Sequence, residues 1–218
     1  MDRLMRYGIS SELLIRTISG AVMAAVAMLA MWLGRWPFGV LLVIIGVLMI
    51  VEWNRLTRNL GSDFKLLGIA YVLFPTASLM IIRNGHHGLW TTFWTLAIVW
   101  STDIGAYFSG RYFGGPKLAP SISPAKTWSG LVGGAVTAGV AGPIIASGGD
   151  LPLLCYILGA PLGLVAQGGD LFESWLKRQA GVKDSGSILP GHGGVLDRLD
   201  GAVPVATIVG LLKVFNAL

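Results

Sequence analysis

The chain has 218 residues, of which 54% are hydrophobic, 12% are charged and 31 are glycine; soluble domains carry about 25% charged residues and ~7% glycine. At a mean hydropathy of +0.70 there is too little polar surface to clothe a water-soluble globule, which excludes a soluble enzyme and a disordered chain. Cys155 is the lone cysteine, so a disulfide scaffold is excluded too, and the composition is that of a polytopic membrane protein.

A helix needs about 20 apolar residues to cross a bilayer. Runs of that kind fall at 13–33, 37–53, 66–82, 89–108, 128–146, 153–176 and 201–215, predicting an all-α protein of about seven transmembrane helices, the second and last of them short. The runs are continuous and lack the in-out alternation of an outer-membrane barrel. The basic start of the chain and Ala25-Val26-Ala27 imitate a signal peptide. The first run is longer than a 7–15-residue signal core and six more follow, so it reads as a retained anchor. No repeat or long linker divides the chain, which reads as one domain, 1–218.

Basic residues orient the spans. Arg3, Arg6 and Arg16 precede the first run; Arg55, Arg58 and Lys65 follow the second; Arg111, Lys117 and Lys126 follow the fourth; Lys177, Arg178, Lys183 and Arg198 follow the sixth. Only Arg35, Arg83 and Lys213 fall on the other side. The net charge of +5 is therefore a topology signal rather than a nucleic-acid face. It places the N-terminus and the loops 109–127 and 177–200 in the cytoplasm, and the protein in the inner (cytoplasmic) membrane.

Ionisable groups within spans are costly and mark function. Asp103 lies near the cytoplasmic end of the fourth predicted helix and Asp170 and Glu173 near that of the sixth, while Asp197 and Asp200 sit just before the seventh. Each of the last two pairs is spaced three apart, on one helix face. Carboxylates suit a hard cation such as Mg²⁺, which takes one or two of them plus substrate phosphates. The neighbouring Lys126, Lys177, Arg178, Lys183 and Arg198 suit phosphate oxygens. The bland reading is a set of ion pairs pinning helix ends, with Lys177 and Arg178 snorkelling; the convergence of five acids on one face favours a site for phosphoryl or nucleotidyl transfer.

The loop Leu189-Pro190-Gly191-His192-Gly193-Gly194 has the glycines of an anion cradle, in which successive N–H groups share one concavity, although most glycine-rich turns are only turns. It lacks the P-loop spacing. His192 is open to three roles, as metal ligand, general base or phosphate contact. A zinc site is disfavoured because Cys155 lies inside a span and His86 and His87 in an outer loop.

From 174 to 200 the chain reads SWLKRQAGVKDSGSILPGHGGVLDRLD. This resembles the signature of the phosphatidate cytidylyltransferase (CDP-diacylglycerol synthase) family: S-x-x-K-R, four residues, K-D, then H-G-G-x-x-D-R-x-D, with every fixed position present. Asp103-Ile104-Gly105-Ala106-Tyr107 and Ser123-Pro124-Ala125-Lys126-Thr127 are similar to the family's D-x-x-A-Y and S-P-x-K-T stretches. Ser129 stands where the family carries Glu, and Glu173 is the acid placed to compensate. The resemblance covers residues 100–218, the signature-bearing catalytic part; residues 1–99 match in hydropathy alone.

The resemblance implies transfer of CMP from CTP to phosphatidic acid, giving CDP-diacylglycerol and pyrophosphate, with Mg²⁺ required, K⁺ as a second cation, membrane lipid around the chain and a homodimer. By the same resemblance Asp170 and Asp197 hold metal; the charge demands of phosphate transfer then suggest that Asp200, Lys183 and Arg198 join them in catalysis. Asp103, Ser123, Lys126, Thr127, Lys177, Arg178, Asp184, His192, Gly193 and Gly194 contact substrates. A phosphate monoester is largely ionised at neutral pH and needs no strong base, which favours phosphate positioning for His192. The rival readings are a nucleotidyltransferase for another lipid phosphate, a transporter and a non-catalytic relative.

Overall fold

The computed structural model describes residues 11–189 and 191–218; Arg3, Arg6 and Pro190 lie outside them. In chain order the elements are α1 (Ser11–Leu33), α2 (Arg35–Leu56), α3 (Asp63–Asn84), α4 (Gly88–Phe113), β1 (Lys117–Ala119), β2 (Ser123–Thr127), α5 (Trp128–Gly148), α6 (Leu153–Ile157), α7 (Gly159–Gln179), α8 (Leu196–Leu199) and α9 (Ala202–Val214). The all-helical expectation holds apart from the antiparallel β1–β2 hairpin, in which Lys117 pairs with Thr127 and Ala119 with Ser123. The predicted loop 109–127 is thus largely structured: α4 runs on to Phe113 and the hairpin fills most of the rest.

Among the described residues, α2, α3, α5 and, from Leu13, α1 are long and apolar enough to cross a membrane. Their exposed apolar side chains, among them Leu13, Val22, Val43 and Leu66, are what a hydrocarbon solvent accepts and water does not. The predicted 37–53 span lengthens to the 22 residues of α2, while α9 keeps only 13. The predicted 153–176 span is broken at Leu158. Gly159 starts α7 there because it lies on the Ala138 carbonyl of α5, and Pro161 occupies the first turn, where its missing N–H costs nothing.

The long helices α4 and α7 are more polar, and each buries one face in the bundle while Ile104, Tyr107, Phe108 and Leu164 stay exposed. Thr92, Thr95 and Thr102 of α4 are buried, each donating its hydroxyl to the carbonyl four residues back. Gln167 of α7 is buried and donates Nε2 to Leu131 O at 3.0 Å.

α5 reads as two faces repeating every four residues. Val132, Val136, Val140 and Ile144 point outward, whereas Gly130, Gly134, Ala138, Gly142 and Ala146 are buried. The small stripe lets helix backbones approach closely. A Cβ on Gly130 would stand 3.0 Å from Ala106 O and one on Gly134 2.8 Å from Thr102 O; Trp94 Nε1 reaches Gly142 O at 3.1 Å.

Successive loops alternate between two ends of the bundle. At one, Arg83 Nε donates to Met31 O at 2.6 Å and Lys213 Nζ to His86 O at 3.0 Å. At the other, the hairpin, the 180–195 loop and α8 lie together, tied by Arg178, whose guanidinium donates to Ile122 O and Val182 O. An aromatic group of Phe64, Trp53, Tyr71, Phe172 and Trp175 packs beside this end.

Candidate active site

The acidic residues meet where α4, α7 and the start of α9 converge. On one side, β2 presents Lys126, whose Nζ lies 2.6 Å from Asp170 Oδ2; the other Asp170 oxygen accepts from Ser174 Oγ at 3.3 Å. Asp103, Arg111, Lys126, Thr127, Gln167 and Asp170 line a cleft of about 430 Å³. Thr127 has a structural duty as well, since its Oγ1 accepts the Gly130 N–H at 3.1 Å and caps α5. Ser129 donates to Gly114 O and bonds the Thr127 hydroxyl, closing the hairpin.

Asp197, one turn before α9, is enclosed by donors. Lys177 Nζ reaches Oδ1 at 2.6 Å, while Oδ2 accepts from Ser185 N at 2.9 Å, Ser185 Oγ at 2.9 Å and Gly194 N at 2.8 Å. Burial acts to raise its pKa, but the hydrogen bonds from Lys177, Gly194 and Ser185 prevail and hold it below the ordinary carboxylate value. The glycine loop is therefore an anion cradle filled by the protein's own carboxylate. Lys177 also faces Glu173 Oε1 at 3.3 Å, so it is a buried counter-ion rather than a snorkelling cation. Beyond that pairing, neither Glu173 oxygen has a hydrogen-bond partner.

Asp200 accepts the Gly201 N–H at 2.7 Å. Burial, then the nearby Asp170 carboxylate, pushes its pKa up to about 7. Gly169 brings α7 against the Asp200 carbonyl, which sets Asp170 beside it. On the far side of Asp197, a more open cleft of about 560 Å³ is lined by Arg16, Asp184, Ser187, His192, Gly193 and Arg198. Gly191 and Gly193 bend the loop with φ of +74° and +82°, and His192 Nδ1 lies 3.0 Å from Ser19 Oγ of α1.

The structure thus gathers Asp103, Lys126, Thr127 and Asp170 in one cleft and Asp184, His192, Gly193 and Arg198 in another, with Asp197, Asp200, Lys177 and Gly194 packed alongside. Ser123, Arg178 and Lys183 line neither cleft. Ser123 pairs within the hairpin, Arg178 holds the hairpin to α7, and Lys183 is exposed.

The donor chemistry fits a hard divalent cation. Five carboxylates lie close together, all ligands would be oxygen, and one buried carboxylate lacks hydrogen-bond donors. Among the described residues no three Asp, Glu, His or Cys side chains enclose a metal by themselves. A Mg²⁺ ion typically takes one or two protein carboxylates, its shell completed by water and substrate phosphates.

Sequence reasoning missed Arg16, Arg111, Gln167 and above all Glu52. Glu52 is 2% exposed and reaches the loop before α8. Its signal was present, because it is an acid inside an apolar run, the same criterion that singled out Asp103 and Asp170.

Residues 61–215 match the sequence model of the cytidylyltransferase family. The chain belongs to the cytidylyltransferase family. It is 46% identical over 179 residues to the phosphatidate cytidylyltransferase of Brucella suis biovar 1 (strain 1330), an alignment covering 79% of this chain and 62% of that protein. It is 34% identical over 214 residues to the phosphatidate cytidylyltransferase of Rickettsia conorii, covering 94% and 93%, and 36% identical over 212 residues to that of Rickettsia bellii, covering 91% and 90%. The chain spans 62% of the length of the Brucella relatives it matches. Arg16, Ser19 and Glu52 lie outside the family match yet contribute to this site.

Proposed function

We propose that the protein transfers CMP from CTP to phosphatidic acid, giving CDP-diacylglycerol and pyrophosphate. The observation that carries this reading is the cluster built from Asp170, Asp197 and Asp200 between two clefts, each lined by cations. Lys126 and Arg111 line one, Arg16 and Arg198 the other.

A phosphate oxygen of the lipid attacks the α-phosphorus of CTP. The new P–O bond forms as the bond to pyrophosphate breaks, and no proton need be removed from a dianionic nucleophile. The barrier is repulsion between two polyanions, so the task of the site is positioning and neutralisation. Lys126, Lys177 and Arg198 hold phosphate oxygens, and His192 and Gly193 shape the wall around them. Asp170 and Asp197 would hold Mg²⁺, braced by Asp200, with K⁺ as a second cation. When bound, the divalent ion supplies charge neutralisation to the reacting phosphates. The lysine now paired with each aspartate, Lys126 with Asp170 and Lys177 with Asp197, is then available to phosphate.

In this reading α4, α7 and α9 join the four apolar spans to make seven, the site faces the cytoplasm, and the protein resides in the inner membrane. CTP then arrives from the aqueous side, while the lipid keeps its acyl chains among the helices.

The test is incubation of purified protein in detergent with CTP, phosphatidic acid and Mg²⁺, with and without EDTA, following both products. Equal, EDTA-sensitive release of CDP-diacylglycerol and pyrophosphate supports the reading. A well-folded protein that yields neither overturns it, and product formed only from another lipid phosphate reassigns the substrate.

A further inference from the structure

Glu52 belongs to the part of the chain with no signature, yet its side chain ends inside the signature loop. Oε1 accepts the Val195 N–H at 3.0 Å, and Oε2 accepts the Leu196 N–H at 2.9 Å and faces Ser185 Oγ at 3.1 Å. These partners stand 133 to 144 residues away in sequence. Val195 and Leu196 open the short helix α8, whose first N–H groups have no intrahelical acceptor. The carboxylate of α2 therefore caps α8 from a distance, and the next residue on α8 is Asp197.

The enclosure is built for a carboxylate. A Cβ on Gly194 would stand 2.7 Å from Glu52 Oε2 and one on Gly186 2.6 Å from Oε1, so the loop reaches Glu52 only because both positions are glycine. Ser185 Oγ stands between the two acids, 3.1 Å from Glu52 Oε2 and 2.9 Å from Asp197 Oδ2. Leaving such a group buried without its donors would be costly; the Val195 and Leu196 N–H groups meet that need, and the single Ser185 hydroxyl proton is shared with Asp197.

We infer that Glu52 is a positioning residue for the proposed cytidylyl transfer: it clamps the loop 185–196 so that Asp197 presents its carboxylate to the site. The inference rests on the proposed function, but its structural half is tested separately. Glu52→Gln is the informative change, because an amide keeps the shape while offering one acceptor and turning an NH₂ group toward backbone donors.

Two measurements are made on purified full-length protein in detergent micelles. In steady-state assays with CTP and phosphatidic acid, E52Q is expected to lower kcat at least tenfold while both KM values stay within about twofold, a split that simple loss of folded protein would not produce in active-site-normalised kinetics. In amide hydrogen exchange, residues 185–196 are expected to exchange at least tenfold faster in E52Q, with α4 and α5 unchanged. Wild-type kcat in E52Q, or unchanged exchange in the loop, overturns the inference. If E52Q does not fold, Ser185→Ala decides. It removes the hydroxyl between the two acids and is expected to lower kcat severalfold, with wild-type kcat counting against the clamp. If the wild-type chain makes no CDP-diacylglycerol, the function fails while the exchange measurement still judges the clamp.

Discussion

Lys177 Nζ lies 2.6 Å from Asp197 Oδ1, joining the last turn of α7 to the residue that opens the approach to α9. Both side chains are nearly buried, 12% and 6% exposed, and the same ammonium faces the buried Glu173. Replacing Lys177 with Met leaves the buried Glu173 without its counter-ion and takes one donor from Asp197, which keeps Ser185 and Gly194. Removing one partner of a buried pair costs about 3–5 kcal/mol, so K177M should show that loss in denaturant unfolding in detergent. Adding Glu173→Gln to K177M should restore part of it. A K177M protein as stable as wild type would show that the pair does not support the fold.

Asp170 and Asp197 should separate in mutagenesis. Asp170 has Lys126 and Ser174 as partners, so Asp170→Asn should fold with near-normal thermal stability while losing about 10²-fold or more in turnover. Asp197→Asn should lose activity and also loosen the 185–196 loop, since its amide would face the donors of Ser185 and Gly194. Calorimetry alongside the product assay distinguishes the two.

Asp200 gives a pH signature in EDTA-treated protein. Its folded pKa is raised to about 7 from an ordinary 3.8, so the fold favours the neutral acid. That stability is fully present at low pH, begins to fall as the unfolded carboxyl ionises near pH 4, and is lost once pH passes about 7. Asp200→Asn should therefore raise Tm relative to wild type at pH 8, with the difference shrinking toward pH 4. An equal difference at both ends would remove Asp200 as the cause.

Two glycines make a paired test of helix packing. A Cβ on Gly134 meets Thr102 O at 2.8 Å and Gln167 Nε2 at 2.6 Å, where α4, α5 and α7 join, whereas one on Gly168 meets nothing within 4 Å. Gly134→Val should destabilise by about 1–3 kcal/mol or more through overpacking. Gly168→Ala should be neutral or stabilising by up to ~1 kcal/mol, because alanine favours the helix. Unfolding curves in one detergent compare them directly.

Membrane residence, the positions of the apolar helices and the signature acids were legible in the sequence because each is written locally. Hydropathy is a property of consecutive residues, and Asp170, Asp197 and Asp200 sit within one short stretch. The break at Leu158 was not legible, since it depends on Gly159 meeting the Ala138 carbonyl of another helix. The buried faces of α4 and α7 were equally hidden, because their threonines and Gln167 look polar until neighbouring helices enclose them. Most of the site was decided in the same way. The glycine loop announced an anion, but only packing made Asp197 the anion that the Gly194 N–H holds and Glu52 the one held by the Val195 and Leu196 N–H groups that follow. A buried donor takes the nearest acceptor in space, and which acceptor that is depends on how α2, α7 and α8 come together, over more than 130 residues of chain.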